Sequence, residues 1–299
     1  MILASGVALT LLAAVTGTIA TPVLETRQGI STLSAEQVAS YKPYTYYAGA
    51  AYCTPASTLA WSCGTNCNQN SGFKPIASGG NGATIQYWYV GYDTALQTII
   101  VGYQGTEGEK ILPIITDIDF SLTTLSPTLF PGIGSAIKTH NGFGDAHARS
   151  AAAVLAAVKK GLSTYGTTKV TVVGHSLGAA LAIISTAHLS LNLPSTTVLK
   201  TISFSAPRVG NVEFVNFVNA RADMVRINNK KDPVPILPGR FLGFAHTEGE
   251  IHISSTNAWI SCPGQDNTNS QCTVGTVPNI FVGNTGDHSG PFNGVSIGC

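Results

Sequence analysis

The residues best suited to chemistry lie in Gly174-His175-Ser176-Leu177-Gly178. A β-branched run, Thr171-Val172-Val173, precedes them and an Ala-, Leu- and Ile-rich stretch follows, so the pattern predicts strand, tight turn, helix. In that context Gly-x-Ser-x-Gly reads as a nucleophile elbow. The sharp turn forces the serine into sparsely allowed backbone angles, and glycines on either side remove side chains that would collide with neighbouring segments. Ser176 Oγ would then stand at the carboxyl end of a strand, beside the free N–H groups and positive dipole end of the next helix. The chemistry implied is acyl transfer. The competing reading is a glycine-rich helix start carrying an incidental serine.

A serine hydroxyl attacks poorly unless an imidazole takes its proton and a carboxylate holds that imidazole's tautomer. With the order Ser, then Asp or Glu, then His, the base must be His188, His246, His252 or His288. His188 falls within the helix after the serine and is expected at the surface. His246 and His252 flank a predicted strand and read as structural. His288, in Gly286-Asp287-His288-Ser289-Gly290, lies in a late loop able to reach the top of a sheet. For the acid, Asp232 follows a strand ending at Ile227, on the rim that carries Ser176, and Pro233 stiffens its backbone. Asp223 precedes that strand and lies at the wrong end. Asp287 adjoins His288, and adjacent side chains rarely face each other. Two donors must receive the oxyanion: the N–H of Leu177, and Thr106 at the end of Val101-Gly102-Tyr103-Gln104-Gly105-Thr106.

These residues need a scaffold. Ser34-Ala35-Glu36-Gln37 is a capping box opening a helix to about Ala51. Residues 53–82 read as loop, 84–90 and 98–104 as strands about a turn at Tyr92-Asp93-Thr94, and 121–142 as loop. A helix is expected from Gly144 to Lys160, stopped by Gly161. Strands at 169–173, 198–205 and 224–227 alternate with helices after Ser176 and from Asn211 to about Ala220, and one more strand is expected near 251–254. Strand–helix alternation implies right-handed crossovers and a parallel sheet with helices on its faces.

The chain has 299 residues, 44% hydrophobic and 10% charged, with a formal net charge of +1. That composition fits a packed α/β globule and excludes a disordered chain; nucleic acid is not an expected partner. Residues 1–20 carry no charge, with an apolar run from Val7 to Val15 and small residues at Thr18-Ile19-Ala20, and read as a secretory leader cleaved near Ala20. A membrane anchor is the alternative, but the apolar run is short for a span. Residues 21–33 are read as a pro-segment or N-terminal tail, and 34–299 as one domain. Six cysteines in such a chain suggest three disulfides among fifteen pairings; metal binding, the rival reading, lacks the usual ligand spacings. Neither metal nor cofactor is expected, and oligomeric state is left open.

The chain resembles the fungal class 3 lipases and their feruloyl esterase relatives. The resemblance rests on Gln104-Gly105-Thr106, His140-Asn141-Gly142-Phe143, Gly174 to Gly178, Ser205-Ala206-Pro207-Arg208-Val209-Gly210-Asn211, Asp232-Pro233-Val234-Pro235 and Gly243-Phe244-Ala245-His246. It implies an α/β-hydrolase fold, a mostly parallel central sheet with helices on both faces and a short lid over the active site. It also implies Ser176 as nucleophile, Asp232 as orienting acid, His288 as base, and Thr106 with Leu177 as oxyanion hole. Cys53–Cys299, Cys63–Cys67 and Cys262–Cys272 are the pairings it implies. Two departures stand out: Gln104 replaces a common arginine, and Ser289-Gly290-Pro291-Phe292 lacks the usual aromatic run after the histidine.

The lid implied by the resemblance falls at residues 107–117. There Ile111, Ile114 and Ile115, with Ile118 beyond, recur at helical spacing, Leu112 beside them and Pro113 between. An apolar face over a reactive serine gains a partner at an oil surface, about 0.8 kcal/mol per methylene-sized unit; the bland alternative is a face packed permanently on the core. The expectation is a secreted acylglycerol, specifically triacylglycerol, lipase working through an acyl-enzyme at a lipid–water interface, with no transmembrane span. A lipase restricted to mono- and diglycerides, a polar-ester or feruloyl esterase, and an inactive lipid- or partner-binding relative are the alternatives.

Overall fold

The computed structural model describes Met1, residues 29–106 and residues 120–299. The expected leader and the isoleucine-rich segment with Ile111, Leu112, Ile114 and Ile115 lie outside the described residues. A nine-stranded sheet runs through the molecule. In chain order its strands are β1 (Ser31–Thr32), β2 (Phe73–Gly79), β3 (Trp88–Asp93), β4 (Thr98–Tyr103), β7 (Lys169–His175), β8 (Val198–Phe204), β9 (Asp223–Asn229), β10 (Glu250–Ile253) and β11 (Trp259–Cys262). Its spatial order is β1-β11-β10-β9-β8-β7-β4-β3-β2. Strands β4, β7, β8, β9 and β10 are parallel and the outer strands on both sides antiparallel. A separate small hairpin pairs β5 (Leu122–Thr124) with β6 (Lys138–His140).

Burial on both faces explains the continuous apolar runs in the central strands. Ile100, Val173, Ile202, Phe204 and Ile227 face one side, with Tyr47, Ala48, Phe73 and Tyr89. Ile99, Val101, Val170, Val172 and Leu199 alternate to the other, with Val154, Val158 and Leu181. The first side is covered by α2 (Lys42–Ala50), preceded by α1 (Ala35–Ser40). The second is covered by α3 (Asn141–Tyr165) and α4 (Leu177–Asn192), which pack on each other; α5 (Val212–Asn219) packs against α4. This is the α/β-hydrolase arrangement, with Ser176 between β7 and α4. The central strands and helices follow the sequence pattern closely; the departures are local, and one is the β5–β6 hairpin, which lies inside residues 121–142, expected as loop.

The first helix is two: the Ser34–Gln37 capping box forms, but Pro43 has no N–H for a continuing ladder, and α1 ends at Ser40. Strand β2 lies inside the expected 53–82 loop. Its Pro75 sits on the sheet edge at a register shift, where a missing N–H is tolerated, and this hides the strand pattern. The first strand of the β3–β4 hairpin begins at Trp88, because Asn81 Oδ1 accepts the N–H groups of Ala83, Thr84 and Ile85 and closes a turn there. Helix α3 runs past Gly161, which leaves room for the side chains of Ile76 and Ile99, and stops at Gly166, where φ is 61°.

His188 is buried rather than at the surface. It sits on the inner side of α4 against His147 of α3, with ring centroids 5.4 Å apart, and Phe130 packs on both. His147 is fully buried with neither ring nitrogen partnered. Burial, then the neighbouring His188 charge, pushes its pKa down to about 3. The unfolded chain, titrating near pH 6.5, therefore binds a proton that the folded chain refuses. Stability is full above that pH and falls on acidification toward pH 3, by at most about 1.4 kcal/mol per pH unit from this group. Replacing His147 by Leu should flatten the dependence of unfolding free energy on pH in that window by nearly one proton's slope. Identical slopes in urea titrations of the two proteins would contradict this.

Candidate active site

The turn between β7 and α4 brings backbone segments too close for side chains. A Cβ on Gly174 would overlap the carbonyl of Gly178, and one on Gly178 the carbonyl of Tyr103. Between them Ser176 adopts φ 60°, ψ −128°, a strained geometry for a non-glycine residue. Its N–H donates to Phe204 O at 3.0 Å, and its own carbonyl receives Ala179 and Ala180. Leu177 opens α4, so its N–H is among the first-turn donors that a helix leaves without intrahelical partners. Thr106 follows shortly after β4, with its Oγ1 buried and unpartnered.

Asp232 is 1% exposed and lies just beyond β9. Its Oδ1 caps the N–H of Val234 at 3.0 Å, and both carboxylate oxygens face His288 Nδ1, at 3.1 and 3.0 Å. A carboxylate only accepts, so Nδ1 carries the hydrogen and Nε2 presents a lone pair. That Nε2 and Ser176 Oγ are both buried without a hydrogen-bond partner. The structure thus joins Asp232 to His288 and places no hydrogen bond between His288 and Ser176. Such contacts commonly lengthen in unliganded sites and tighten around substrate. Three unpartnered atoms, Ser176 Oγ, His288 Nε2 and Thr106 Oγ1, are thus available to a reacting group.

The acid and base loops are laced together by contacts that sequence spacing does not reveal. Asn284 N donates to Lys231 O at 2.7 Å, Asn229 Nδ2 to Asp287 O at 2.9 Å, and Lys231 N to Asp287 Oδ2 at 3.2 Å. Asp287 therefore braces the acid's turn instead of facing His288. Asp223 forms an exposed ion pair with Lys200 at 2.9 Å. Gln104, in place of the common arginine, continues the β3–β4 pairing, its Oε1 accepting Tyr87 N at 2.9 Å. The aromatic missing just after His288 arrives at Phe292, fully buried with its ring 5.1 Å from that of Phe204.

Beyond the acid, Arg208 binds the returning loop. Its Nη1 donates to the carbonyls of Ile236 and Pro238, while Nε and Nη2 meet Asp266 Oδ1 at 2.9 and 2.8 Å. His246 Nε2 reaches Pro235 O at 2.6 Å, and both ring nitrogens of His252 face backbone carbonyls, of Gln271 and Lys230. The cysteines pair as Cys53–Cys299, Cys63–Cys67 and Cys262–Cys272. Among the described residues, the one metal-like grouping is Glu250 with Cys262 and Cys272, whose sulfurs are bonded to each other and so offer no thiolate. An arrangement of this kind, a buried hydroxyl, an oriented imidazole and nearby N–H and O–H groups, can run nucleophilic acyl transfer.

Comparison with known proteins points the same way. A family model described as lipase (class 3) matches residues 100–242. A secreted mono- and diacylglycerol lipase of Malassezia restricta, LIP2, is 33% identical over 173 residues, 56% of this chain and 55% of that one. A secreted mono- and diacylglycerol lipase of Malassezia globosa, MDL3, is 32% identical over 204 residues, 64% of this chain and 67% of that one. The chain thus spans little more than half the length of the first of these relatives. A solved structure described as a triacylglycerol lipase whose catalytic centre is a serine protease triad has a TM-score of 0.76 and 25% identity. It covers 90% of this chain and 99% of that one.

Truncating the Arg208 clamp should be costly, since it leaves Asp266 Oδ1, half-buried, and two carbonyls without their charged donor. Arg208→Met is expected to lose about 3–5 kcal/mol of unfolding free energy in chemical denaturation. A loss under about 1 kcal/mol would show that the clamp does not hold this loop.

Proposed function

The chain belongs to the class 3 lipase family, and from that premise we propose that it is a secreted acylglycerol lipase acting through Ser176, His288 and Asp232. The observation that carries the reading is the buried Asp232–His288 pair, with the far nitrogen of the imidazole and the hydroxyl of the elbow serine both buried and without a hydrogen-bond partner. Ser176 Oγ attacks the ester carbonyl carbon while its proton passes to His288 Nε2, and Asp232 stabilises the imidazolium. The carbonyl oxygen, now an oxyanion, takes hydrogen bonds from the N–H of Leu177 and from Thr106. Collapse of the tetrahedral adduct expels the alcohol, protonated by His288, and leaves an acyl-serine. Water, deprotonated by the same imidazole, then releases the fatty acid.

Several features support a lipid substrate over a polar ester. Phe281 is 92% exposed on the turn before His288, and Phe241 89% exposed on the turn after Asp232; Ile280, Leu242 and Val282 beside them are also exposed. Apolar tips of this size serve no folding purpose in water and suit contact with an oil surface. Relatives named as mono- and diacylglycerol lipases place partial glycerides among the substrates to be tried first. The apolar leader, cleaved near Ala20 in this reading, supports secretion; of residues 21–33, read as pro-segment or tail before a catalytic domain of 34–299, Ser31–Thr32 already pair with the sheet edge, and the disulfides suit an oxidising compartment. Among the described residues no helix is long and apolar enough to cross a membrane.

A fluorophosphonate probe and an ester panel on the purified mature chain test this. Labelling should vanish in Ser176→Ala. Turnover of tributyrin or a diglyceride should climb once substrate exceeds its solubility. Unlabelled wild-type protein would overturn the enzyme reading. A plain saturation curve through the solubility limit, with good turnover of methyl ferulate, would favour the polar-ester esterase.

A further inference from the structure

Two side chains outside the triad are built into its support. His175, the residue before the elbow serine, is 2% exposed. Its Nε2 lies 2.8 Å from the backbone carbonyl of His288, an atom that can only accept, so Nε2 carries the hydrogen. Its Nδ1 is then bare, and the hydroxyl of Tyr52, 2.7 Å away, donates to it. A second donor, Ser205 Oγ, reaches the same His288 carbonyl at 3.2 Å. Tyr52 sits where α2 turns toward the Cys53–Cys299 disulfide, and its hydroxyl occupies the space that a Cβ on Gly105 would need. Gly105 is the residue before Thr106.

We propose that Tyr52 and His175 are positioning residues for catalysis, forming a hydrogen-bonded strut from the end of α2 through the serine elbow to the backbone of His288, packed against the segment that leads to Thr106. This rests on the reading of Ser176 and His288 as nucleophile and base. The polarity of the strut runs one way: Tyr52 O–H to Nδ1, then Nε2–H to the carbonyl. That order needs a neutral ring with its hydrogen on Nε2. Burial, followed by repulsion from His288, holds the His175 pKa well below its ordinary value. The rings of His175 and His288 are 4.6 Å apart by centroid, so a cationic His175 would oppose the imidazolium that forms on His288 during attack. The His288 carbonyl fixes the tautomer, and the hydroxyl of Tyr52 anchors the opposite edge of the ring; without that donor Nδ1 is buried unpaired, the ring is held at one end only, and its grip on the His288 carbonyl loosens. The imidazole of His288 would then keep its Asp232 contact while its backbone gains freedom, and a displacement near 1 Å costs reaction rate far more than binding.

Tyr52→Phe tests this with little change of shape, beside His175→Gln, whose amide retains one donor and one acceptor, and His175→Ala. Active sites are counted with the fluorophosphonate, and kcat and KM are measured on a soluble short-chain ester. Tyr52→Phe should lower kcat per titrated site about tenfold with KM within twofold. His175→Gln should retain more kcat per site than His175→Ala. A Tyr52→Phe kcat per site within twofold of wild type would overturn the proposal. So would losses explained wholly by fewer titratable sites, which is how a purely structural role would read. Wild-type protein that takes no label would remove the underlying enzyme reading, a result distinct from a labelled wild type that Tyr52→Phe matches.

Discussion

The hydrogen bond between the Asp232 carboxylate and His288 Nδ1 is the constraint to which the rest of the site answers. It decides which imidazole nitrogen carries hydrogen, and so whether the other can take a proton from a serine. Both partners are almost fully buried, where an unpaired carboxylate would be expensive and a loose imidazole would lose its orientation. They come from loops 56 residues apart in sequence. Bringing them together requires that each loop be held independently of the bond between them. Residues 229–231 and 284–287 do this by trading three hydrogen bonds, one between backbones and two through the side chains of Asn229 and Asp287, and Arg208 anchors the chain beyond the acid to Asp266.

The sheet supplies the fixed frame. Parallel pairing of β7, β8 and β9 sets the elbow and the acid's turn at carboxyl ends of strands, on one rim. The close approach of Gly174, Gly178 and the β4 carbonyls then sets the elbow against the loop that carries Thr106. Strain at Ser176 is thereby over-determined by packing, and the polar atoms left without partners include those that a transition state would use. In this account binding energy is withheld in the resting site and released to the reacting ester.

Much of the scaffold is legible in the sequence because its signals are local. Strand–turn–helix at 171–180, the alternation through β8, α5 and β9, and the N-cap at Asn211 all depend on neighbours a few positions apart. The candidate residues Asp232 and His288 emerged from chain order and strand ends, which are coarse but topological. What stayed hidden depends on distant neighbours. Edge strand β2 carries a proline at an irregular pairing, so its composition reads as loop. Gly161 reads as a helix stop unless the isoleucines facing it are known. His188 carries no sequence mark of its burial beneath Phe130. Likewise the histidine preceding the serine acquires its meaning only from Tyr52 and the His288 carbonyl, which arrive from opposite ends of the chain.

The most direct test of the account is kcat of Asp232→Asn on a soluble ester, with folding checked by thermal unfolding. An amide at this position can donate to Nδ1 and so favour the wrong tautomer while keeping the shape. Asp232→Asn should fold, with kcat lower by about 10⁴-fold. A folded Asp232→Asn protein turning over within tenfold of wild type would contradict it.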